Sequence, residues 1–222
     1  MLTISCEEMK SMDSYAIKNI GIPSIVLMEN AALKVIKNID LHNINSFTII
    51  CGIGNNGGDG LAIARHLILE EKYVDLFIIG NLDKATEDFN INLNILKNMG
   101  MKFTHITGEK DLTILKESLK RNDSTIDSIF GIGLTRNIED LYKEVISLIN
   151  SKSKNILSID IPSGLDGDTG KVLGISVKAN KTVTFHLMKK GLLDKEEYTG
   201  EIIVEPIGIP KKATDTILKR ME

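Results

Sequence analysis

Residues 52–60 read Gly-Ile-Gly-Asn-Asn-Gly-Gly-Asp-Gly, with the apolar run Phe47-Thr-Ile-Ile-Cys51 directly before them and a helical pattern directly after. Glycine fills five of those nine positions. Backbone without Cβ atoms can turn sharply and lie against a neighbour or a ligand. A strand feeding such a loop, and the loop feeding a helix, aims free N–H groups and the positive end of the helix dipole at whatever sits above. Phosphates and other anions suit that position. Asn55, Asn56 and Asp59 have no evident packing role, so the loop reads as one wall of a nucleotide-type pocket in an α/β fold.

The rest of the chain keeps the same alternation. Strand candidates fall at 46–51, 73–79, 102–106, 125–130, 155–160, 181–186 and 201–205, and helical patterns at about 58–70, 85–98, 111–120 and 138–150 separate the first five. Strands divided by helices imply right-handed crossovers and a mostly parallel sheet covered on both faces. Ahead of them, Ser5 with Glu8 predicts a capping box for a first helix through residue 19. Gly21-Ile-Pro23 breaks that helix and starts a second, with Met28, Ala32, Val35, Ile36 and Ile39 on one face.

At 222 residues the expectation is one domain spanning 1–222, with a helical C-terminal stretch from Pro210 to which a further domain could attach. Cys6 and Cys51 read as buried reduced thiols. A net charge of −3 with no basic stripe argues against nucleic acid. No apolar run approaches the ~18 residues of a membrane span, and the N-terminus lacks a signal-peptide pattern. A soluble cytoplasmic protein is expected. The four histidines are scattered without metal-ligand spacing, and the pairs Lys189-Lys190 and Lys211-Lys212 read as solvated surface.

All strands of a parallel sheet end on one edge, and ligands bind there, where the strand order reverses. Three unusual loops fall in that position. Besides 52–60 there is Gly131-Ile-Gly-Leu-Thr-Arg-Asn137, after the strand that holds Asp127, and Ile161-Pro-Ser-Gly-Leu-Asp166, after Asp160. The first loop matches Gly-x-Gly-x-x-Gly at 52, 54 and 57, but the acid that would hold a ribose is missing from Phe77-Ile-Ile-Gly-Asn81. No Gly-Lys-Ser/Thr follows either, which excludes a Walker loop. The pocket therefore differs from that of an ordinary dehydrogenase or nucleotide triphosphatase.

Asn55-Asn-Gly-Gly-Asp-Gly60, Asp127 with Gly131-x-Gly-Leu134, and Asp160-Ile-Pro-Ser-Gly-Leu-Asp166 resemble the N-terminal domain of the YjeF family, the NAD(P)H-hydrate epimerases. Leu27-Met-Glu-Asn-Ala31 and Thr182-Val-Thr-Phe185 with Lys190-Gly191 extend the likeness over most of the chain. The resemblance implies a Rossmann-like three-layer α/β/α sandwich with two N-terminal helices, usually a homodimer. It implies an epimerase that interconverts the S and R forms of hydrated NADH or NADPH (NADHX and NADPHX). In many bacteria such a domain is fused to a dehydratase acting on the same substrate. No dehydratase sequence is expected within 1–222.

Carried over residue by residue, the likeness assigns substrate contacts to Asn55, Asn56, Gly57, Gly58 and Asp59. It assigns a second wall to Gly131, Ile132, Gly133, Leu134, Thr135, Arg136 and Asn137, with Tyr142 one helical turn further on. Asn56, Asp127 and Ser163 match positions that hold one potassium ion per subunit, and all three offer hard oxygen ligands. Turn capping is the plainer alternative for Asp127 and Ser163. Asp160 is the expected acid–base group. The hydroxylated ring carbon is a hemiaminal, so a proton given to the hydroxyl lets the nitrogen lone pair expel it, and water returning to the other face inverts the centre. Asp160 could instead only cap the Pro162 turn. A non-catalytic nucleotide-sensing or protein-binding module on the same fold is the other open reading.

Overall fold

In a computed structural model that describes residues 2–219, each strand candidate found above becomes a strand, and those in the middle of the sheet are buried on both faces. The strands are β1 (Thr3–Ile4), β2 (Ser46–Cys51), β3 (Tyr73–Ile79), β4 (Phe103–Ile106), β5 (Ser124–Ser128), β6 (Ile156–Ile159), β7 (Lys181–Phe185), β8 (Met188–Lys189) and β9 (Glu201–Glu205). The helices are α1 (Cys6–Tyr15), α2 (Ser24–Lys37), α3 (Asn55–Leu69), α4 (Glu87–Asn98), α5 (Glu109–Arg121), α6 (Asp140–Lys152), α7 (Glu196–Thr199) and α8 (Lys211–Ile217). Seven strands pair in the order β4-β3-β2-β5-β6-β7-β9, every pairing parallel. The first six repeat the 3-2-1-4-5-6 order of doubly wound dinucleotide folds, with β9 added at the β7 edge.

Side chains alternate across this sheet and divide the core in two. Phe47, Ile49, Val74, Leu76 and Ile78 pack on one face with Leu27, Leu61, Leu67 and Phe89 from α2, α3 and α4. Ile50, Phe77 and Ile79 pack on the other with Leu115, Leu119, Val145 and Ile149 from α5 and α6. Burying each such side chain contributes roughly 1.5–3 kcal/mol. The result is a three-layer α/β/α sandwich whose order reverses between β2 and β5.

The N-terminal segment folds over the edge where the strands end. Ser5 Oγ accepts from the Glu8 N–H at 3.2 Å and Glu8 Oε2 accepts from the Ser5 N–H at 2.6 Å, a complete capping box worth about 1 kcal/mol. Beyond Tyr15 the helix widens into a π-turn over Ala16–Ile20 and stops at Gly21, whose φ of +86° is left-handed. One pairing has no counterpart in the sequence patterns: β1 lies parallel to β8, Thr3 against Met188 and Ile4 against Lys189. It ties α1 to the loops that follow β7. No described helix is long and apolar enough to cross a membrane.

Candidate active site

A cavity of about 700 Å³ lies above the strand ends, with the β2–β5 switch point at its base. Glycine makes that base possible. A Cβ on Gly52 would stand 2.1 Å from the Ile129 carbonyl oxygen, and one on Gly57 would stand 1.8 Å from that of Gly52. The loop after β2, the first turn of α3 and the end of β5 are thus stacked backbone on backbone. Helix α3 begins at Asn55, three residues earlier than its pattern suggests. Its first helical bond runs from the Gly58 N–H to the Gly54 carbonyl at 3.0 Å. The N–H groups of Asn55, Asn56 and Gly57 therefore stay free at the positive end of a long helix.

Of the residues singled out in the sequence, Asn55, Asn56, Asp59, Gly131, Ile132, Gly133, Leu134, Tyr142 and Asp160 border the cavity. Gly57 and Gly58 are buried and do not; Gly58 packs beneath Met28, which does. Thr135, Arg136 and Asn137 are exposed beyond the cavity wall. The Phe130 and Tyr142 rings lie 5.0 Å apart and form an aromatic side to the cavity. The loop after β6 contributes only Asp160, since Ile161, Pro162, Ser163, Gly164 and Leu165 are all buried behind it. Helices α1 and α2 and the π-turn between them add Met9, Ile17, Leu27, Met28 and Ala31 to the wall.

Asp160 terminates β6 in an unusual conformation. Its φ is +63°, and the Ile161 N–H reaches back to the Ile159 carbonyl at 2.8 Å, closing a three-residue turn around it. A left-handed non-glycine residue costs on the order of 1–3 kcal/mol unless its surroundings impose it, and such strain gathers at functional positions. Here the Asp160 N–H is held by the Val183 carbonyl at 2.8 Å. Three donors converge on one carboxylate oxygen: Lys189 Nζ at 2.5 Å, Thr184 Oγ1 at 3.1 Å and the Phe185 N–H at 3.3 Å. Oδ2 receives none of them and remains the oxygen available to a ligand. Asp160 is 8% exposed, enough to meet the cavity and little more.

Lys189 departs from its sequence reading. It is 1% exposed, and its ammonium donates to Asp160 Oδ1, to Thr184 Oγ1 at 3.0 Å and to the Phe185 carbonyl at 2.8 Å. Its neighbour Lys190 stays in solvent, 3.8 Å from Glu8. The β1–β8 pairing turns Lys189 inward, and a charged dipeptide carries no local sign of that. The second group missed is Asp13 on α1. It borders the cavity, and burial together with the charge of Asp160 pushes its carboxyl up to about 6. Its sequence signal is positional: it interrupts the buried face formed by Met9, Met12 and Ala16. Asp59 is raised well above the usual carboxylate range by burial, then by Asp160, Asp13 and Asp88. Burial also raises the Tyr142 phenol, with Arg136 opposing.

Asp127 is fully buried at the end of β5 and borders no part of the cavity. Four neutral donors meet it: Ser158 Oγ at 2.8 Å, the Ser163 N–H at 2.8 Å, Ser163 Oγ at 2.5 Å and the Ile129 N–H at 3.3 Å. No cationic side chain pairs with it among the described residues, and burial raises its pKa. Nearby, Gly131 lies against the Asn56 amide, whose Oδ1 and Nδ2 are both buried without a partner. A buried carboxylate lacking a counter-charge, an orphaned amide oxygen and the Ser163 hydroxyl each offer oxygen, the donor type that suits a hard monovalent cation. Among the described residues no group of three His, Cys, Asp or Glu side chains is arranged to hold a metal. His66, His105 and His186 bond Glu29, the Gly80 carbonyl and Thr214. Cys6 and Cys51 are free and buried, with thiols pushed up to about 12 chiefly by burial.

Comparison with known proteins agrees with this geometry. The chain is 44% identical over 218 residues to a protein of Anaerococcus prevotii named NAD(P)H-hydrate epimerase, covering 98% of this chain and all of that one. It is 38% identical to the bifunctional NAD(P)H-hydrate repair enzyme Nnr of Moorella thermoacetica, covering 97% of this chain and 42% of the longer protein. Among solved structures, yeast ynu0 superposes with a TM-score of 0.82 at 22% identity, over 98% of this chain and 93% of that one, which bears out the fold. Residues 24–191 match the family described as YjeF-related protein N-terminus. That match spans most of the chain and includes the β2–α3 loop, Asp127 and Asp160, so the chain belongs to the YjeF-related protein N-terminus family.

Proposed function

We propose that this protein epimerises the hydrated forms of NADH and NADPH at the hydroxylated ring carbon. The observation that carries the reading is Asp160: a strained strand-end carboxylate, one oxygen tied to Lys189 and the other open to the cavity. The free N–H groups opening α3 offer a seat for the pyrophosphate, and the aromatic side near Tyr142 offers a flat surface for a ring. With the ring over Asp160, Oδ2 exchanges a proton with the hydroxyl. Loss of water leaves a planar iminium, and addition of water to the opposite face gives the other epimer. The largely apolar walls limit stray water, and Lys189 holds the Asp160 carboxylate in one orientation.

Potassium is the ion proposed for the oxygen set of Asn56, Asp127 and Ser163. Bound there, it would neutralise the Asp127 charge and brace the loops after β2 and β5. A homodimer working in the cytoplasm, beside a dehydratase that consumes one epimer, completes the proposal; the bifunctional relative is the support for that last element. The test supplies purified protein with one pure epimer of NADHX or NADPHX and follows the other by chromatography, with potassium or choline as the chloride salt. Appearance of the second epimer, faster in potassium, is expected. A chain that leaves both epimers unchanged above the spontaneous rate removes the assignment.

A further inference from the structure

Asp13 is a cavity carboxyl for which the scheme above has no task. It projects from α1, whereas Asp160 sits at the sheet edge, so the two reach the same cavity from different elements. Asp160 Oδ1 accepts three hydrogen bonds, one of them from the Lys189 ammonium. No ion pair or side-chain hydrogen bond to Asp13 occurs among the described residues, so its carboxyl is free to bond whatever fills the cavity. The charged groups that border the cavity with it are Asp59 from α3, Asp88 from α4, Asp160 and Lys189 from the sheet edge, and Lys10 and Lys18 on its own segment.

We propose that Asp13 is the second proton-transfer group of the epimerisation, sharing one proton with Asp160 so that one carboxyl gives while the other takes. This rests on the epimerase reading and deepens it. Inversion at a hemiaminal places the departing and arriving water on opposite faces of the ring, and a single carboxyl is poorly placed to serve both. For one epimer, the Asp13 O–H bond breaks and its proton passes to the ring hydroxyl. The C–O bond then breaks as the nitrogen lone pair forms C=N, releasing water. On the Asp160 side a second water forms the new C–O bond, the C=N electrons return to nitrogen, and the surplus proton passes to Asp160 Oδ2. The pair now stands ready for the reverse reaction, and a water in the cavity returns the proton to Asp13. Atoms and charge balance without another reagent.

The two environments suit these parts. Lys189 Nζ donates to Asp160 Oδ1, whereas Asp13 has no cation partner among the described residues and is raised to about 6 by burial and the charge of Asp160. The experiment uses the full chain, each pure epimer of NADHX, and the Asp13→Asn, Asp13→Glu and Asp160→Asn variants. Asp13→Asn should lower kcat by about a hundredfold or more in both directions with KM little changed, and Asp13→Glu should restore part of it. The wild-type kcat should fall as pH rises through the Asp13 titration, and that limb should vanish in Asp13→Asn. Carbon NMR of the Asp13 carboxyl should show its pKa dropping in Asp160→Asn, a readout that needs no turnover and no foldable Asp13→Asn protein. A folded Asp13→Asn protein with near-wild-type kcat beside an active wild type overturns the proposal alone, as does an Asp13 titration indifferent to Asp160→Asn. A wild-type chain that converts neither epimer overturns the epimerase reading, and the proposal with it.

Discussion

Asp127 and Asp160 end adjacent strands of one parallel sheet, and the structure gives them opposite surroundings. Asp127 is sealed away, with both oxygens met by neutral donors from Ser158, Ser163 and Ile129. Asp160 has one oxygen locked by a buried ammonium and one facing a cavity, on a backbone forced into the left-handed region. Two like residues, one strand apart, thus divide the edge: one anchors loops and the other borders the cavity. The difference arises from what each neighbouring loop supplies. Ser163 reaches back to Asp127, while β8 delivers Lys189 to Asp160.

Substitutions break this contrast in a definite order. Asp160→Asn removes the proposed proton-transfer group and should cost roughly 10²–10⁴ in kcat, checked by epimer conversion, with the fold retained on circular dichroism. Lys189→Met leaves the Asp160 charge in a largely buried position without its partner, and should lower unfolding stability by about 3–5 kcal/mol in denaturant titrations. Restoring neutrality with Asp160→Asn in the same chain should recover much of that loss, which separates the ion pair from simple packing. Asp127→Asn sets an amide N–H against donors and should cost about 1–3 kcal/mol. The same change should abolish any rise in melting temperature that potassium gives over choline.

The smallest effect is a pH dependence. The Asp13 carboxyl is raised on folding, so its contribution to stability is full below its unfolded pKa and is lost as pH rises through about 6. Asp13→Asn removes the cost of burying that charge. The variant should gain on the order of 1–3 kcal/mol over wild type at pH 8 and nothing near pH 4, measured by thermal unfolding across that range. Equal pH dependence in the two proteins would show that Asp13 is not buried as a carboxylate.

Much of the fold was legible because the sheet is covered on both faces. The expected bounds of β2, β3 and β9 agree with those observed, since each is an apolar run closed by polar or glycine residues. The capping box at Ser5 and the stop at Gly21 were legible for the same local reason. The bounds of α3 were not: its glycine-rich first turn resembles loop, and helix there depends on the stacking of Gly57 on Gly52 and of Gly52 on Ile129. Thr3–Ile4 and Met188–Lys189 are too short to carry a period, and each becomes a strand only by meeting the other.

The alternation of apolar runs with helical patterns determined a mostly parallel sheet, and the residues of 52–60, Asp127 and Asp160 determined the family, because glycine geometry and hydrophobic period are local properties that a chain displays before folding. Tertiary structure alone decided which polar groups face one another: that Lys189 is buried against Asp160, that Asp13 enters the same cavity, and that Ser163 serves Asp127 from behind the wall. Pairing between distant charges depends on where crossovers and short strands bring the backbone, and no window of sequence contains both partners.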